Sequence, residues 1–185
     1  MIQFKTAKEK RFWFWSLIVT LTIFSTLFIG RPLQNLLGDQ DIQAMIFVSG
    51  MILVGVLMLV NGIRNKPNTY EWLIWIGLAA VYMMLFLRLG IPERSHLIEY
   101  SVLAIFIHNA LIERMGLEKQ HGKLALFAFL CTFSVGVIDE SIQLFLPHRV
   151  FDINDIVFNG FVSACAIGSH VGIQWIRKMK KERRK

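Results

Sequence analysis

The feature that most limits this chain is a series of apolar runs, each near the length needed to cross a bilayer. Six stand out: Phe12–Ile29, Ala44–Ile63, Trp72–Leu87, Leu97–Ile112, Leu124–Leu146 and Ile156–Ile176. A helix of about 20 apolar residues spans a hydrocarbon core of roughly 30 Å. Inside that core every backbone N–H and C=O must find a partner within the chain, so only helices and closed barrels cross it. The runs are too long and too uniformly apolar for barrel strands, which alternate. The expected fold is all-α: a polytopic transmembrane helical bundle of about six spans, forming one membrane domain over residues 1–185. Composition agrees, since 18% of residues are charged against about 25% in soluble domains.

Breakers fall between the runs. Asn65-Lys66-Pro67-Asn68 separates the second and third, and Gly90-Ile91-Pro92 ends the third. Gly116 and Gly122 bracket the link between the fourth and fifth. Pro147 is expected to stop the fifth. The first run follows a basic stretch, as a signal peptide would. Its 18 residues exceed the roughly 7–15 of a signal core, and no small-residue cleavage site follows, so it is read as an uncleaved span. Cys131 and Cys165 sit within apolar runs at no metal or disulfide spacing and are read as small hydrophobes.

The charges divide unevenly between the two sets of span ends. One set holds Lys5, Lys8, Lys10, Arg11, Arg64, Lys66, Arg114, Lys119, Lys123 and the seven basic residues of the tail 177–185. The other holds Arg31, Arg88, Arg94 and Arg149. Sixteen basic residues against four place the first set, with both termini, in the cytoplasm by the positive-inside rule. The net charge of +7 therefore speaks for orientation and anionic lipid, not for nucleic acid.

Polar residues gather where lipid tolerates them least. Asp139 and Glu140 are adjacent in the fifth run, and each costs about 2.5–3.5 kcal/mol at a helix centre on insertion scales. Gln143 lies four and three residues on, which places all three on one broad helical face. If the helix reaches Pro147, Asp139 sits about 12 Å from its end. The sixth run opens with Asp152, Asp155 and Asn159 at spacings of three and four. Asp152 or Asn154 also suits a helix cap. The fourth run carries His96 and Glu99 near its expected start, with Tyr100 beside them. Arg94 and Arg149 are the natural counter-ions of the carboxylates. His108, Asn109 and His170 read as hydrogen-bonding groups between helices.

The order His96-x-x-Glu99-Tyr100-x-x-Leu103, then Asp139-Glu140-x-x-Gln143-x-Phe145-x-Pro147-x-Arg149-x-x-Asp152-x-x-Asp155-x-x-x-Asn159, resembles the VanZ-like family of bacterial membrane proteins. The resemblance covers roughly residues 94–168; residues 1–93 carry no signature. The chain departs from the family pattern at His148, where the family often has glycine. The family's named member is linked to low-level resistance to the glycopeptide teicoplanin, and most relatives have no assigned activity. The resemblance implies an envelope role and a shared polar set of His96, Glu99, Tyr100, Asp139, Glu140, Gln143, Arg149, Asp152, Asp155 and Asn159. It assigns none of them a reaction.

Four readings of that set compete. The leading one is a binding or modulating protein whose extracytoplasmic pocket, Arg94 included, holds an envelope lipid, a cell-wall precursor or a lipophilic antibiotic. The second is an intramembrane hydrolase or transferase on a lipid-linked substrate, with His96 as acid or base. Its metal variant would use His96 with Asp139 and Glu140, but one histidine with carboxylates is weak evidence and no H-E-x-x-H pattern exists. Neither metal nor cofactor is therefore expected. The third is an ion-coupled transporter, which lacks the expected repeat and broken helices. The last is a polar network that only locks helices together.

Overall fold

The computed structural model describes residues 4–37, 39, 42, 45, 49, 69–88, 91–116, 121–147 and 149–182. Among the described residues the regular elements are five helices: α1 (Ala7–Leu37), α2 (Thr69–Arg88), α3 (Ile91–Met115), α4 (His121–Gln143) and α5 (Ile153–Glu182). Among the described residues there is no strand. Among the described residues, four helical stretches are long and apolar enough to cross a membrane: Ala7–Phe28, Ser95–Met115, Gly122–Gln143 and Ile153–Ile176. The apolar part of α2, Thr69–Val81, is shorter. The expected second span, Ala44–Ile63, lies outside the described residues apart from Met45 and Ser49.

Two compact units divide the chain: Met1–Ile29 with Ser95–Gly172, and Gly30–Arg94 with Ile173–Lys185. The first unit contains most of the four membrane-length stretches. Its helices alternate in direction. Phe106 of α3 packs against Phe12 and Trp15 of α1, with ring centroids 6.4 and 6.5 Å apart. Thr6, just ahead of α1, donates to Glu113 near the end of α3 at 3.3 Å. The start of α1 therefore meets the end of α3. At the other end the start of α3 meets the end of α4, and the end of α4 meets the start of α5. Leu97, Leu103, Ile107, Ala128, Val162 and Ala166 are buried between them. Outward positions such as Leu17, Leu126, Phe127, Val157 and Phe161 are exposed, and so are Cys131 and Cys165, which therefore do not fill the core as small hydrophobes were expected to. An apolar surface of that kind suits lipid.

Polar side chains within the spans are largely self-satisfied. Ser16, Thr20 and Thr22 in α1 each donate to the carbonyl four residues back, as do Thr132 and Ser134 in α4. Such back-bonding removes most of a hydroxyl's cost in hydrocarbon. His108 of α3 and His170 of α5 meet through their Nδ1 atoms at 3.0 Å, one donating and the other accepting. They join two helices, as their sequence positions predict.

Several helix ends differ from expectation. α3 begins at Ile91, not near Leu97, because Pro92 falls in the first turn, where a missing N–H costs nothing. α4 ends at Gln143, short of Leu146. Phe145 and Leu146 close tighter turns by donating to the carbonyls of Ile142 and Gln143 at 3.0 and 3.1 Å. Asp139 is thus four residues from the end of its helix, about 6 Å, or half the depth that a helix running to Pro147 would give it. α1 continues past Ile29 through Pro32, and α5 runs on into the basic tail as far as Glu182. Gly116 ends α3 with φ +81°, and its N–H reaches the Ile112 carbonyl at 2.8 Å. That left-handed closure favours glycine.

Candidate functional site

The polar residues collect at the end of the first unit where α3 and α5 begin and α4 stops. Asp139 and Glu140 are 1% and 0% exposed. The Tyr100 hydroxyl donates to Asp139 Oδ2 at 3.2 Å. Gln143 Nε2 donates to Glu140 Oε1 at 2.7 Å. The Asp152 backbone N–H, arriving from the next helix, donates to Glu140 Oε2 at 3.3 Å. Three helices are thereby linked through one adjacent pair of acids.

Asp152 itself caps α5. Its Oδ1 accepts from the backbone N–H and the side-chain amide of Asn154, both at 2.8 Å. Its carbonyl accepts from Asp155 N at 3.1 Å. The cap is therefore Asp152 and not Asn154, which lies within the first turn. Asp155 lies in the first turn too, where its charge suits the helix dipole, and is half-buried.

His96 lies one helical turn before Tyr100, their ring centroids 5.8 Å apart. It offers a ring nitrogen to the acids: ligand-type atoms of His96, Asp139 and Glu140 all fall within 4.8 Å of one another. His96 is far in sequence from the adjacent acids, and the three are the set named for the metal variant of the enzyme reading. Glu99 is half-buried beside them. Arg94 lies in α3, but its side chain is outside the described ones, as is His148.

Arg149 makes no direct ion pair with either acid. Its Nη2 donates to the backbone carbonyl of Thr26 in α1 at 3.0 Å. Among the described residues no lysine or arginine lies within ion-pair distance of Asp139 or Glu140. The guanidinium fastens the α4–α5 connection to α1, and from there its charge still acts on Asp139.

Two groups beside this network are left without hydrogen-bond partners. Asp139 Oδ1 has none, and neither does Oδ1 or Nδ2 of Asn159, a residue that is 0% exposed. Asn159 sits where α4, α3 and α5 approach at Gly136. A Cβ on that glycine would lie 3.3 Å from Tyr100 Cε1 and 3.4 Å from Asn159 Cβ. Gly136 is thus part of the site, though absent from the sequence-derived set. Its only signal is a small residue one turn before an acid, on the same face. A buried polar group left unmet costs about 1–3 kcal/mol, and three such atoms lie together here.

No family model, characterised protein or solved structure matches the chain.

Proposed function

We propose that this is a VanZ-like integral membrane protein whose polar site binds the head group of an envelope amphiphile: a lipid, a cell-wall precursor or a lipophilic, glycopeptide-type antibiotic. In this reading the chain crosses the membrane about six times, with both termini in the cytoplasm and the site facing the outer leaflet. The orientation rests on sixteen of the twenty basic residues lying on one set of ends. The contact of Thr6 and Glu9 with the end of α3 is consistent with that grouping. The kinship rests on the ordered polar residues from His96 to Asn159.

One observation carries the binding reading. Asp139 Oδ1 and both polar atoms of Asn159 are buried without partners, beside carboxylate oxygens that Tyr100, Gln143 and the Asp152 N–H do meet. Unmet acceptors and a donor in a membrane protein are placed to meet the polar part of a ligand. A second reading, a hydrolase on a lipid-linked substrate, draws on the His96 ring beside two carboxylates, the pairing that general acid–base chemistry uses.

The test is ligand-dependent thermal stability of the purified protein with phosphatidylglycerol, a polyprenyl phosphate and teicoplanin. At least one is expected to raise the melting temperature of the wild type and to lose that effect in Asn159→Leu. If none stabilises the protein, the polar set only joins helices. Turnover of a lipid-linked substrate, lost in His96→Ala, would move the assignment to the second reading.

A further inference from the structure

We infer that His96, Asp139 and Glu140 form a binding site for a divalent cation of the Zn2+/Mn2+ class. This deepens the binding reading at the same cluster, although it rests on separate geometry. Each of the three residues offers one ligand atom, and the atoms lie within 4.8 Å of one another. Ligands held at about 2.0–2.2 Å from an ion stand roughly 3.4 Å apart in a tetrahedral site. Binding the ion would draw these atoms together by about 1.4 Å at most.

The donor set selects the ion class. An imidazole nitrogen with two carboxylates suits Zn2+ or Mn2+. Mg2+ and Ca2+ prefer all-oxygen shells and, for Mg2+, retained water. Two carboxylates and a neutral imidazole balance a 2+ ion, which would relieve the burial of both acids where no described lysine or arginine pairs with them.

The surrounding groups are arranged as a metal site requires. Tyr100 orients Asp139 through Oδ2 and leaves Oδ1 with no donor. Gln143 and the Asp152 N–H orient Glu140 through one bond to each oxygen, and each oxygen keeps a second lone pair. Outer hydrogen bonds of this kind hold ligating carboxylates in place. Asn159, fully buried with both polar atoms unmatched, stands at the adjacent Gly136 crossing, where it can meet a water or ligand oxygen on the ion. Three protein ligands leave at least one coordination position open, as in sites that bind or activate an exogenous group. A phosphate or carboxylate head group is the natural occupant.

The experiment uses full-length protein purified without a histidine tag and stripped with EDTA. It is titrated with Zn2+ and, separately, with Mn2+, and bound metal is counted by elemental analysis. Co2+ absorption serves as a second readout, because its visible bands report the ligand set. The wild type is expected to retain one equivalent. His96→Ala and Asp139→Asn should each weaken binding about 100-fold or more, since even outer-shell losses cost 10–100-fold. His96→Cys should keep Zn2+ and lose Mn2+, because a thiolate prefers the softer ion. His96 is half-buried, so its variants decide the matter if Asp139→Asn does not fold. No retained cation in the wild type, or retention unchanged in His96→Ala, overturns the inference. Stabilisation by an amphiphile in EDTA, without any retained cation, would sink the cation and leave the head-group reading standing. A retained cation with no response to any amphiphile would do the reverse.

Discussion

Glu9 and Asp139 are both carboxylates buried in apolar helices, at opposite ends of the same four-helix unit. Glu9 is surrounded by donors. Lys5 N donates to its Oε2 at 2.7 Å, and Arg114 Nη1 meets its Oε1 at 3.1 Å. Its own backbone N–H is taken by Thr6 Oγ1 at 3.0 Å, so the acid is also the third helical residue of a capped start. Asp139 has one donor, Tyr100, on one oxygen and nothing on the other. The ends are about 21 Å apart along α3, measured from Tyr100 to Arg114. A buried acid that is fully met explains itself as structure. One that is half met, beside a second acid and an unmatched amide, is where the proposed head-group binding has its support.

The largest effect on stability is expected at the satisfied end. Arg114→Ala takes away the charged donor of Glu9, whose carboxylate stays buried although the Arg114 side chain is 42% exposed, and a buried acid left without its counter-ion is costly. Thermal unfolding in detergent should show a deeper fall in melting temperature for Arg114→Ala than for any substitution at Gly136, Asn159 or Asp152, with cation and amphiphile binding unchanged. If Arg114→Ala melts like the wild type, full satisfaction does not mark a structural role, and the contrast between the ends loses its meaning.

Next in size is the packing that holds the unsatisfied end together. Gly136 lets Tyr100 and Asn159 approach across three helices, the service small residues give in membrane bundles. Gly136→Val should cost about 1–3 kcal/mol through overpacking. It should also weaken ligand binding, because Tyr100 can no longer hold Asp139. Gly160 gives an internal control. A Cβ there would lie 3.0 Å from the Phe133 ring, so Gly160→Val should lower stability by a similar amount with less effect on binding.

Much of this is legible in the residues. Hydropathy locates the four membrane-length helices, since lipid accepts little else over such lengths. The spacing of Asp139 and Gln143, and of Asp152, Asp155 and Asn159, puts polar groups near the ends that meet. Helix limits are less legible, because hydropathy records the solvent and not the backbone ladder. Leu144 to Leu146 are apolar yet lie past the end of α4, and Pro92 sits inside α3. In the sequence Glu9 is one more charge at a span end. Its partner is 105 residues away, although Thr6-x-x-Glu9 carries the local signature of a capped helix start. Arg149 is the reverse case. Charge complementarity points it at the acids, but the open backbone of the α4–α5 connection brings it to the Thr26 carbonyl.

A smaller effect, of opposite sign, is expected at Asn159. Replacing it with leucine keeps the branched skeleton, adds some volume and removes an amide with no partner. Asn159→Leu should raise stability by about 1 kcal/mol or somewhat more while abolishing the response to amphiphile. A gain in stability with lost binding is the mark of a group kept for function. A loss in stability would mean that Asn159 is matched after all, and the unsatisfied end would then resemble the satisfied one.

The smallest effect belongs to Asp152, and it separates two roles within one residue. Its carboxylate caps α5, whereas its backbone N–H supports Glu140. Only the first depends on the side chain. Asp152→Ala should therefore cost about 1 kcal/mol, the usual worth of a cap, and Asp152→Asn should cost little because the amide oxygen can cap as well. Both should bind cation and amphiphile like the wild type, since the N–H to Glu140 remains. If Asp152→Ala loses binding while Asp152→Asn keeps its melting temperature and loses it too, the Asp152 charge itself meets the ligand. The polar site would then extend past the acid pair into the first turn of α5.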